Sequence, residues 1–170
     1  EPIRLIINLG GVDQANLTSK LLRGLLKCAL PGTWIITVVM GKLSPWINEV
    51  MSLALTMPWK TEVMVDVTNM AELMAANDFA IGAAGSTSWE RCSLGLPTIM
   101  VVAAENQRLI AQQLTKAGAA FTLDANFGAL TLCSAIERIC NKEVLHEMSK
   151  AASNIVDGRG LSRTLRYLEN

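Results

Sequence analysis

The sequence predicts an α/β fold, a Rossmann-like doubly wound parallel sheet of about six strands. Three observations predict it. Short continuous apolar runs such as Ile3–Asn8 and Thr98–Val102 recur along the chain, and runs of this kind suit strands covered on both faces. Between them lie longer stretches with apolar residues at helical spacing, of which Leu17, Leu21, Leu22, Leu25 and Leu26 are the clearest. Glycine, proline and asparagine mark the joints. Strand and helix alternating from end to end imply right-handed crossovers throughout.

Taken in order, Ile3–Asn8 is the first strand, and Leu9-Gly10-Gly11 stops it. A helix over 16–28 follows, with Asn16 as its N-cap, and Pro31-Gly32 breaks it. Trp34–Met40 is the second strand, ended by Gly41. Pro45 fits the first turn of a helix reaching residue 55, which Met57-Pro58 closes. Residues 61–65 form the third strand, and Asn69 caps a short helix over 70–76. The fourth strand, 79–81, runs into the turn Gly82-Ala83-Ala84-Gly85-Ser86, followed by a helix over 87–94 that Gly95 and Pro97 close. Thr98–Val102 is the fifth strand, 107–117 a helix ended by Gly118, and 120–123 a shorter sixth strand. Helices over 130–140, 143–155 and 161–168 complete the chain, which reads as a single domain over 1–170.

At 170 residues, 51% hydrophobic and 18% charged, the chain has the mass and composition for a full core and not for disorder. A formal net charge of +0 gives no basic surface for nucleic acid. No apolar run approaches the roughly 18 residues that cross a bilayer, and the opening residues do not read as a signal peptide. The chain starts at Glu1 and is in a strand by Ile3, which suggests a piece of a longer protein whose upstream neighbour is missing. Cys28, Cys92, Cys133 and Cys140 include no Cys-x-x-Cys pair. They read as reduced, buried thiols in preference to bridges or metal ligands, and so point to the cytoplasm.

The stretch 80–91 organises the rest. Small residues let the backbone turn tightly between strand and helix, and the unpaired N–H groups where a helix opens favour an anion, phosphate above all. In a sheet of order 3-2-1-4-5-6 the direction reverses between strands 1 and 4, so Gly10-Gly11 and the 82–86 turn become neighbours at the binding crevice. Neither corner carries Gly-x-Gly-x-x-Gly or a Gly-Lys-Ser/Thr loop, and lysine is absent from both. A diphosphate there would be held by backbone donors and the hydroxyls of Ser86, Thr87 and Ser88. Glu90, one turn further on, would take the two hydroxyls of a ribose. Other residues invite plainer readings. His146 reads as an ordinary helix residue, Asp78 as a turn or cap, and Glu72 and Glu105 as solvated carboxylates. Trp89 and the methionines Met51, Met64, Met70, Met74 and Met100 read mostly as core, with Met70 alone also placed for a nucleobase. Asp13 could cap the next helix or contact ligand, and both readings stand.

A more specific likeness rests on several motifs. They are Val67-Thr68-Asn69-Met70-Ala71-Glu72-Leu73-Met74, then Gly82-Ala83-Ala84-Gly85-Ser86-Thr87-Ser88-Trp89-Glu90-Arg91-Cys92, then Gly95-Leu96-Pro97 and Ala104-Glu105-Asn106-Gln107. Leu9-Gly10-Gly11-Val12-Asp13 and Val156-Asp157-Gly158-Arg159-Gly160 add to it. Together they resemble the UDP-sugar hydrolases of pseudaminic acid biosynthesis, over the C-terminal half of that family's two-domain GT-B fold. The lipid-II-forming N-acetylglucosaminyltransferase shares that architecture and part of the pattern. The resemblance implies that backbone groups around Val67, with Met70, hold uracil. Gly85, Ser86 and Thr87 would hold the diphosphate with Gly10 and Gly11 across from it, Glu90 the ribose, and Asn106 and Gln107 the phosphates or sugar. It also implies hydrolysis of the anomeric C–O bond of a UDP-linked diacetamido-trideoxy sugar by water, releasing UDP, with no metal and no further cofactor. The family's catalytic histidine belongs to the other half, so this chain is expected to carry no catalytic residue and to bind UDP without turnover. Two other functions fit the same residues: the donor-binding domain of a GT-B glycosyltransferase, and a binding-only nucleotide module. Expected partners are the UDP-sugar substrate, the UDP product and the missing N-terminal domain.

Overall fold

A computed structural model describes residues 1–30 and 32–158. The helix expected over 161–168, Pro31, and the Arg159-Gly160 end of the last motif lie outside the described residues. The element order is β1 (Ile3–Asn8), α1 (Leu17–Leu25), β2 (Trp34–Met40), α2 (Ile47–Ala54), β3 (Lys60–Val65), α3 (Met70–Ala75), β4 (Phe79–Ala83), α4 (Thr87–Ser93), β5 (Thr98–Val102), a 3₁₀ turn (Glu105–Gln107), α5 (Arg108–Lys116), β6 (Ala120–Asp124), α6 (Ala129–Ile139) and α7 (Lys142–Ser153). The six strands make one sheet in the order β3-β2-β1-β4-β5-β6, and every pairing is parallel. The Rossmann-like order expected from the sequence is the order observed.

Strand side chains alternate between faces, so each strand feeds two cores. Leu5 and Ile7 of β1 point with Ile36, Val38 and Ile81 into the larger core, which α1, α2 and α6 close through Leu21, Val50 and Leu132. Ile6, Val39 and Ala80 face the other way, against Met74 of α3. Met100 and Val102 share that second face, covered by Cys92 of α4 and by Ala111 and Leu114 of α5. Both faces of the sheet are thus buried, as continuous apolar strands require.

Local chemistry sets the helix starts. The Asp13 carboxylate accepts from the N–H groups of Leu17 and Thr18, both at 2.9 Å, and Asn16 Oδ1 accepts from Ser19 N–H at 3.4 Å. Of its two sequence readings, Asp13 therefore takes the capping one. Asn69 does not cap α3: its amide donates to Glu72 Oε2 at 3.4 Å instead. Pro45 stands two residues ahead of α2, and α1 ends at Leu25, earlier than expected, leaving Leu26 44% exposed. Trp89, at 39%, and Met51, at 41%, are exposed, which corrects their placement in the core; Met74 and Met100 are buried as expected.

The cysteines need a larger correction. Cys28 and Cys133 form a disulfide, S–S 2.07 Å, while Cys92 and Cys140 are free. The pair is 105 residues apart in sequence and meets because α1 packs against α6. With two of the four cysteines oxidised, the step from reduced thiols to the cytoplasm falls away. Among the described residues no helix is long and apolar enough to cross a membrane, and no His/Cys/Asp/Glu cluster could hold a metal ion.

Candidate functional site

β1 and β4 run side by side with Asn8 opposite Gly82, so the loops leaving their carboxyl ends emerge as neighbours. That is the switch point of the sheet, where connections diverge to opposite faces and leave a crevice. On one side, Gly10 holds φ at +95°, and an added side chain at Gly10 or Gly11 would meet no atom within 4 Å. Across from it, Gly85 is similarly open, and Ser86, the N-cap of α4, is exposed with no side-chain cap. Among the described residues the N–H groups of Gly85 and Ser86 find no hydrogen-bond acceptor, whereas those of Ser88 and Trp89 are taken by the carbonyls of Gly85 and Ser86 at 3.0 and 3.1 Å. Two unpaired backbone donors, on half-buried Gly85 and exposed Ser86, thus stand at the opening of α4. Thr87 is half-buried beside them, and Glu90 is exposed in the first turn of α4.

The turn differs from expectation at two places. Ser88 is buried, its Oγ 3.5 Å from the Ala83 carbonyl and accepting from Arg91 Nη2 at 3.1 Å, so it faces inward and cannot share in holding a ligand. Gly82 is small because of a side chain and not because of a ligand: a Cβ there would collide with the Arg91 guanidinium. Arg91 is only 2% exposed. Its Nη2 donates to the Ala83 carbonyl at 2.7 Å, while Nε is buried with no hydrogen-bond partner. Burial pulls the guanidinium down to about 10, against smaller upward pulls from Cys92 and Glu90, and it stays charged at neutral pH.

The other anticipated residues divide. Val67 and Met70, just past β3, are half-buried against the cluster of Ile6, Val39 and Ala80. They therefore sit on the α3 face of the sheet. Asn106 is exposed past β5, but Gln107 Oε1 accepts from Ala103 N–H at 2.9 Å and is used in shaping its own loop. Glu105 pairs with Arg108 at 2.6 Å. Asp78 lies at the opposite, amino-terminal edge of the sheet, where its carboxylate accepts from Arg4 N–H at 2.7 Å. Exposed His146 lines a groove there with Asp78 and Pro97. Sequence reasoning passed over Arg91, and also Gly41, whose missing side chain lets the loop after β2 rest on Gly11, with the Gly11 Cα 2.7 Å from where a Cβ would stand. The adjacency of β2 and β1 was the available signal for Gly41. For Arg91 it was the helical spacing from Ser88.

Residues 36–159 match the glycosyltransferase family 28 C-terminal domain. The chain belongs to this family. It is 30% identical over 171 residues to the spore coat polysaccharide biosynthesis protein SpsG of Bacillus subtilis (strain 168), an alignment that covers 98% of this chain and 50% of SpsG. Its fold is similar to that of Acinetobacter baumannii MurG, with a TM-score of 0.85 and 20% identity over 99% of this chain and 50% of MurG. It is also similar to S. aureus MnaA, solved with UDP, with a TM-score of 0.75 and 15% identity over 99% of this chain and 46% of that one. At such identities the structural likeness speaks for the fold, the one used by GT-B glycosyltransferases. The chain spans about half the length of SpsG and MurG. The family 28 match points toward sugar-nucleotide transferases more than toward the hydrolases whose motifs the sequence resembles.

Proposed function

We propose that this chain is the donor-binding half of a GT-B enzyme that acts on a nucleoside-diphosphate sugar, with UDP as the nucleotide. The observation that carries the reading is the pair of open glycine corners at the β1/β4 switch point, within a family 28 domain. In this reading the N–H groups of Gly85 and Ser86 and the Thr87 hydroxyl receive the diphosphate, with the Gly10-Gly11 backbone across the crevice. Glu90 accepts hydrogen bonds from both ribose hydroxyls. The half-buried surface of Val67 and Met70 receives the uracil, and Asn106 extends toward the phosphates or sugar.

Such a site binds, orients and stabilises a leaving group. As the anomeric C–O bond breaks, negative charge grows on the distal phosphate, and fixed backbone donors lower the energy of that charge without reorganising. The residues that activate the acceptor belong outside this chain, since no described residue at the crevice is placed as a general base for water or a sugar hydroxyl. Transfer to an acceptor other than water is the reading that family 28 membership favours. Hydrolysis is the second reading, favoured by the Gly-Ser-Thr-Ser-Trp-Glu-Arg stretch at 85–91.

Titration calorimetry with UDP, ADP and NAD tests the ligand class. Clear preference for UDP is expected, and equal or absent binding of all three would overturn the nucleotide assignment. Mass spectrometry of the products of the full-length enzyme separates free sugar from a glycosylated acceptor.

A further inference from the structure

We propose that Arg91 is an electrostatic positioning residue of the crevice: its buried guanidinium fixes the β4–α4 turn from beneath and provides the positive charge that a bound diphosphate neutralises. The inference rests on the donor-binding reading but names a residue and a charge that the reading does not use.

The argument begins with what surrounds the side chain. Arg91 projects from α4 under the turn, against the backbone of Gly82 and within 3.1 Å of Ser88 Oγ. Its hydrogen-bonding partners, the Ala83 carbonyl and Ser88 Oγ, are neutral, and its Nε has none. Among the described residues no carboxylate forms an ion pair with it. Glu90 next to it in sequence is exposed, and the neighbouring Cys92 thiol is held protonated by burial. The exposed Glu90 carboxylate pulls on the charge only from a distance, and a buried charge without an ion-pair partner is costly and uncommon. Both corners lack lysine, so Arg91 is the cation closest along the chain to the unpaired donors of Gly85 and Ser86. Its planar fork suits the task, since one arm can tie the Ala83 carbonyl and Ser88 while the charge remains delocalised over the group. A diphosphate at the lip would add the negative charge that no ion pair supplies. The plainer alternative is that Arg91 only staples the turn, and the two differ in what charge does.

The test uses the whole chain, with Arg91→Met and Arg91→Lys, and three probes: UDP, inorganic pyrophosphate and uridine. Arg91→Met is expected to weaken UDP and pyrophosphate by about tenfold or more, the order of a charge–charge interaction a few ångströms beyond contact in a partly buried site. Uridine affinity, read by NMR titration, should hold, and Arg91→Lys should recover part of the loss. If Arg91→Met fails to fold, Arg91→Gln keeps donors for Ala83 and Ser88 without the charge and should show the same selective loss. Equal losses for uridine and UDP, or wild-type UDP affinity in the uncharged variants, would overturn the proposal. Wild-type binding of pyrophosphate but not UDP would sink the nucleotide reading while leaving this one standing; binding of neither would sink both.

Discussion

The Arg91 guanidinium fills the space that a side chain on Gly82 would need, so this glycine near the end of β4 serves a neighbouring residue and not the ligand. The contact joins β4 to α4 on either side of the turn that carries the unpaired donors of Gly85 and Ser86. It makes the shape of the crevice depend on a side chain that no ligand need touch.

Gly82→Ala should therefore destabilise the protein by about 1–3 kcal/mol, the usual cost of forcing atoms into a filled space. Urea unfolding measures it. Because the two residues are in contact, the cost should shrink when Arg91→Met is combined with Gly82→Ala. Additive losses would mean that the alanine collides with backbone instead.

Glu90 and Thr87 should rank in a fixed order. A carboxylate spanning two ribose hydroxyls makes two charge-assisted hydrogen bonds, and each is worth about 1.5–3 kcal/mol. A single hydroxyl on a phosphate makes one. Glu90→Ala should weaken UDP more than Thr87→Ala, by about tenfold or more. Calorimetry returning the reverse order would remove Glu90 from the ribose.

Reducing the Cys28–Cys133 bridge should cost about 2–4 kcal/mol of stability, because it closes a long loop between α1 and α6. Denaturant unfolding with and without reductant reads this directly. The double variant Cys28→Ser with Cys133→Ser should match the reduced protein. Identical midpoints in oxidised and reduced samples would contradict the bridge.

Burial, with Asp78 contributing, pushes the Cys140 thiol from 9.0 up to about 11. The unfolded chain releases this proton as pH passes about 9, while the folded chain keeps it to about 11. Between those values the folded state binds more protons, so stability falls as pH rises through the window, and below it the group contributes nothing. For a partly exposed thiol the loss should be on the order of 1 kcal/mol. Cys140→Ser should flatten that decline. An unchanged slope would mean that other groups cause it.

The sheet was legible from sequence because β1, β2 and β5 are largely apolar runs bounded by glycine, proline or asparagine, and such runs suit strands covered on both faces. The strand order followed from the doubly wound fold, and it sets the loops that carry Gly10 and Gly85 side by side. Side-chain direction on α4 was harder. Hydrophobicity suggested Trp89 inside, but the buried positions follow helical spacing from Ser88 to Arg91 and Cys92, which turns Trp89 outward. The resemblance offered Gln107 to the phosphates or sugar, yet its Oε1 accepts from Ala103 N–H within its own loop. The disulfide left no trace in local spacing. It depends on α1 meeting α6, a fact of packing that pairwise cysteine arithmetic does not reach.

The most direct measurement is an amide NMR map of the chain titrated with UDP. The account predicts saturable shifts concentrated at Gly10, Gly11, Gly85, Ser86, Thr87 and Glu90, with weaker ones at Val67 and Met70. Shifts confined to the amino-terminal edge around Asp78 and His146, or no saturable shift at millimolar UDP, would contradict it.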